Sequence, residues 1–135
     1  MSDIHADRRQ PFTPDEPFDL SNAGDGLLEE ARRMSSGRAS RTLTPSAHGA
    51  LKQTLVALQA GVELDVHVTN GPATIQLLRG SAAINSEEGT VPLRSGQWAT
   101  IPVARHDLRA SDDTVALITV AATAPTPGRD DPTTS

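Results

Sequence analysis

The chain has 135 residues, room for one domain, with a net charge of −5 and 21% charged residues spread along its length. It has no cysteine, which excludes disulfides, thiolate metal sites and cysteine nucleophiles. Phe12, Phe18 and Trp98 are its only large aromatics, and no apolar run approaches the roughly 20 residues a membrane helix needs, so neither nucleic acid nor membrane is an expected partner. No basic start followed by an apolar stretch marks a signal peptide, which points to a cytoplasmic protein.

In chain order, residues 1–23 are polar and carry Pro11, Pro14 and Pro17, the composition of a flexible N-terminal segment. Residues 25–36 read as a short helix. Leu27, Leu28, Ala31 and Met34 share a face, Asp25 is a candidate cap, and Gly37 is a stop signal. From residue 46 the period changes to that of strands: 51–58, 63–69, 73–79, 81–85, 90–93, 97–102, 106–110 and 114–121. Turn residues separate them, including Ala60-Gly61, Asn70-Gly71-Pro72, Gly80, Glu87-Glu88-Gly89, Arg94-Ser95-Gly96 and Ser111-Asp112-Asp113. About eight strands with no helix between them predict an antiparallel all-β sandwich or barrel. The domain spans 24–123 with its β-rich part at about 46–123, and 124–135 reads as a disordered tail. A β-rich core that small favours help from the helix, the N-terminal segment or a second subunit.

Several chemistries are absent from the sequence. No glycine-rich phosphate loop, GxSxG elbow or HExxH helix occurs. The strand that begins at Glu63 alternates: Leu64, Val66 and Val68 against Glu63, Asp65, His67 and Thr69. Alternation alone puts the apolar set inside, and makes Glu63 and Asp65 solvated carboxylates. Arg79, Arg105 and Arg109 are candidate clamps for a carboxylate or phosphate, Arg105 being the better placed beside His106. Trp98 fits packing or an interface better than a stacking wall.

Gly61, five residues and His67, followed by Thr69, Asn70-Gly71, Ala73 and Gly80, form one motif. Gly96, five residues and Pro102, with His106 beyond, form a second. Together these resemble the two motifs of the cupin family, in particular small single-domain bacterial, RmlC-like cupins. The resemblance covers roughly residues 46–122. It implies a cupin-type antiparallel jelly-roll barrel with a short N-terminal helix. It also implies that the histidine face looks inward, against the plain alternation, so that His67, Thr69, Ala73, Trp98 and His106 line a ligand pocket. The family's metal ligands correspond to His67, Thr69, Ala73 and His106, and two of these four positions carry no good ligand. No cofactor is therefore expected, and a divalent metal, if bound, would sit on His67 and His106.

The resemblance implies a non-catalytic small-molecule-binding or regulatory module. The alternatives are a metal-dependent enzyme of oxygenase or isomerase type with an incomplete ligand set, or a structural module whose pocket is filled by its own side chains. With the histidine face inward, Leu64, Val66, Val68 and the neighbouring Leu78 would face out. The helix would then cover part of that face, and a homodimer partner the rest.

Overall fold

The computed structural model describes residues 17–44, 50–66, 71–102 and 105–121. The tail from residue 122, the segment 1–16 and His5, His48, His67 and Thr69 lie outside the described residues. One helix, α1 (Leu20–Arg33), precedes nine strands: β1 (Arg38–Thr42), β2 (Leu51–Leu58), β3 (Glu63–Val66), β4 (Ala73–Arg79), β5 (Ser81–Ser86), β6 (Gly89–Arg94), β7 (Trp98–Thr100), β8 (His106–Ala110) and β9 (Thr114–Ala121). The fold is all-β with a leading helix, as the turn spacing predicts. Its strands pair in two antiparallel sheets, ordered β1-β2-β9-β4-β7 and β3-β8-β5-β6, rather than closing into one barrel.

The helix begins at Leu20, earlier than its sequence predicts. Asp19, not Asp25, is the cap: its carboxylate accepts from the Asn22 N–H at 3.1 Å. The chain turns extended at Met34, so Leu27, Leu28 and Ala31 are buried while Met34 is 49% exposed. β1 is a strand that hydrophobic periodicity misses, because Arg38–Thr42 contains one apolar residue. It forms by pairing with β2, Ser40 opposite Val56 and Thr42 opposite Thr54.

Two apolar layers hold the domain together. Between the sheets lie Val56, Leu58, Ala73, Ile75, Leu77, Ala82, Ile84, Leu93, Ile101, Leu108, Ala110 and Ala116. On the outer face of the larger sheet, Leu27, Leu28 and Ala31 of α1 pack on Leu55, Ala57 and Val115, with Leu78 at the margin. Strict alternation along β2 and β9 feeds both layers at once. Phe18 joins the outer layer, its ring lying 4.5 Å from the Arg41 guanidinium.

The helix therefore covers β1, β2 and β9, and not the face of β3 as expected. Leu64 packs against the inter-sheet core, while Glu63 and Asp65 are exposed. Plain alternation wins over the inward-facing polar set here, because burying Glu63 and Asp65 would desolvate two carboxylates for no matching partner. β4 carries a bulge against β9: Leu77 is opposite Ala116 but Arg79 is opposite Val115.

One polar cluster ties the helix to the end of the sandwich. Asp113 accepts from the Ala60 N–H and from Arg32, both at 3.0 Å. These two hydrogen bonds, the backbone one first, hold its carboxyl below the ordinary value of 3.8. A carboxylate with a lowered folded pKa contributes stability that is complete above the unfolded value and is lost as pH falls through the folded one. We expect Asp113→Asn to cost about 0.5–1 kcal/mol at neutral pH, given that the side chain is partly exposed. The gap should close at about pH 2, where both chains are neutral at this position. Urea melts at the two pH values check this; an equal gap at both would remove the carboxylate from the account.

Candidate functional site

Where the two sheets part, the molecule has an open pocket of about 470 Å³, within the roughly 300–1,000 Å³ common for small-molecule sites. It lies between β1, the edge of the larger sheet, and β3, the edge of the smaller one. Its apolar lining is Val56, Leu64 and Ile118; its polar lining is Ser36, Arg38, Ser40, Thr54 and Asp65. The cause is local. β1 presents Arg38, Ser40 and Thr42 on the same face as Leu58, Val56 and Thr54, and this inward face of β1 stays exposed. Arg38 reaches across the gap and donates to the Glu63 carbonyl at 3.4 Å.

The expected site residues are placed differently. Ala73 opens β4, buried in the inter-sheet core, and its carbonyl accepts from the Ile101 N–H at 2.9 Å. His106 opens β8 and is 5% exposed; it shares the inward face with Leu108 and Ala110, opposite Val66 and Ser86. Both therefore stand at the end of the sandwich where the β3–β4 and β7–β8 connections run. Trp98 does not join them. Its register with Gln76 and Leu117 puts it on the outer face of the larger sheet, 60% exposed. None of these three lines the open pocket.

Among the described residues no group of three or more His, Asp or Glu is placed to hold a metal ion. Ala73 offers only a methyl where the family's glutamate would stand. The described residues thus do not fit a metal centre of the cupin kind. Of the candidate anion clamps, Arg79 pairs with Asp25 of the helix and Arg109 with Glu63 at 3.5 Å, so both are engaged in surface ion pairs; Arg105 is exposed. Sequence reasoning missed Arg38, Ser40 and Thr54 because it missed β1. The signal available was the alternation of Ala39, Arg41 and Leu43 toward the helix, which leaves Arg38, Ser40 and Thr42 facing in.

Solved structures share this architecture. A conserved protein of unknown function from Streptococcus pyogenes is 25% identical, with a TM-score of 0.63 over 79% of this chain and 87% of its own. An RmlC-like cupin protein from Desulfovibrio desulfuricans is 26% identical, with a TM-score of 0.54 over 62% and 81%. Ectoine synthase from P. lautus is 20% identical, with a TM-score of 0.57 over 70% and 74%. The fold is cupin-like. No protein-family model matches the sequence, and no curated protein does. No helix among the described residues is long and apolar enough to cross a membrane.

Proposed function

We propose that this chain is a non-catalytic, small-molecule-binding module built on a cupin-like fold. The observation that supports this reading is the open pocket between β1 and β3, with an apolar floor and a few hydroxyl and charged groups at its walls. Such a lining binds and orients; it presents no paired nucleophile and base among the described residues. The fold itself is neutral on the matter, since one scaffold carries many functions.

The test is ligand-observed NMR on a panel of small carboxylic acids, amines, sugars and amino acids, with the wild-type chain and Ser40→Trp. Ser40 is exposed and lies across from Val56, so an indole there fills the pocket without entering the core. At least one compound should bind the wild type and lose its signal with S40W, at an unchanged melting temperature. Binding that survives S40W, or a panel with no binder, overturns the reading.

A further inference from the structure

The pocket's charges narrow its ligand, and this inference rests on the binding reading above. Arg38 and Asp65 both line it, yet they form no ion pair with each other. Arg38 has no carboxylate partner among the described residues; its one bond there goes to a neutral carbonyl. Asp65 has neither hydrogen bond nor ion pair among the described residues. Their neighbours differ: Glu63 is taken by Arg109, and Asp107 accepts from Asn85 at 2.9 Å.

Register adds a second reason for a cation at Asp65. Asp65 is directly opposite Asp107 on β8, a like-charge cross-strand pair that a bound positive group would relieve. A guanidinium offers paired donors to a carboxylate, and an unpaired carboxylate accepts from an ammonium. Between them lie Val56, Leu64 and Ile118, suited to an aliphatic group. We infer that the pocket takes a zwitterion with an aliphatic side chain, that is, a free amino acid held by its carboxylate on Arg38 and its ammonium on Asp65.

Calorimetry with leucine, leucinamide and N-acetyl-leucine tests this on the full chain. Leucinamide lacks the carboxylate and N-acetyl-leucine lacks the ammonium. Leucine should bind at least about tenfold more tightly than either, the effect of one charge-assisted hydrogen bond. Asp65→Asn should abolish the preference over N-acetyl-leucine, and Arg38→Gln the preference over leucinamide. Both positions are exposed, so both variants should melt with the wild type. Equal binding of the three compounds, or leucine binding unaltered in both variants, overturns the inference. If leucine fails while another compound binds the wild type and is lost with S40W, the zwitterion is wrong and the binding reading stands. If nothing binds, both fall.

Discussion

Replacing Gly80 by alanine is expected to destabilise the domain by at least about 3 kcal/mol, combining left-handed backbone strain with overpacking. Gly80 has φ +91° between β4 and β5. A Cβ there would stand 2.2 Å from the Asp113 carbonyl oxygen and 2.9 Å from the Thr114 Cα. These are backbone atoms of the β8–β9 turn, so no side-chain rotation relieves the clash. That turn is also fastened to the next residue: the Ser81 carbonyl accepts from the Ser111 N–H at 2.9 Å and from the Thr114 hydroxyl at 3.0 Å. Moving it breaks bonds as well. Gly61→Ala is the comparison, because Gly61 has φ +86° but open space around it; it should cost only about 1 kcal/mol, the backbone term alone. Denaturant midpoints measure both. A G80A midpoint equal to that of G61A would mean that the two turns do not meet as described.

The second large effect contrasts two leucines of one strand. Leu58 is fully buried between the sheets, opposite Thr114, whereas Leu51, at the other end of β2, is 48% exposed. Leu58→Ala leaves a cavity among well-packed neighbours and should cost about 2–5 kcal/mol. Leu51→Ala should stay within about 0.5 kcal/mol. Equilibrium unfolding of both variants checks the gradient of burial along the strand; similar costs would contradict it.

How legible the fold is depends on what brackets each element. β2, β4, β8 and β9 begin and end where the sequence places them, since apolar alternation fills them and turn residues close them. β1 carries neither signal. Its sequence is polar because one face lines an open pocket and the other needs only Ala39 against the helix layer. The helix start was readable in principle: Leu20 and Ala23 continue the stripe of Leu27, Leu28 and Ala31, but Asp25 competes with Asp19 as a cap.

The site was less legible than the fold. The cupin resemblance rightly marks residues 46–122 as a jelly roll, and the structure puts His106 and Ala73 at one end of it, facing in. For β3, however, the residues' own chemistry decides. Leu64 is the side chain that gains from burial, so Glu63 and Asp65 turn outward. A pocket made by two sheet edges from distant parts of the chain leaves no spacing motif to read.

The bulge in β4 changes how many contacts one strand can make with the layer above it. A regular strand offers that layer every second side chain. Here Leu78 packs beside the helix layer and the next residue, Arg79, pairs with Asp25 on the helix itself. Two neighbours in sequence thus serve the same surface, one by burial and one by charge. Strict odd-even counting from Ala73, Ile75 and Leu77 would instead have sent the Arg79 guanidinium into the core. The extra residue spares the core that charge and gives the helix a docking point beyond the apolar stripe, so the orientation of α1 on the sheet is held at a point that hydrophobic contact alone would let slide.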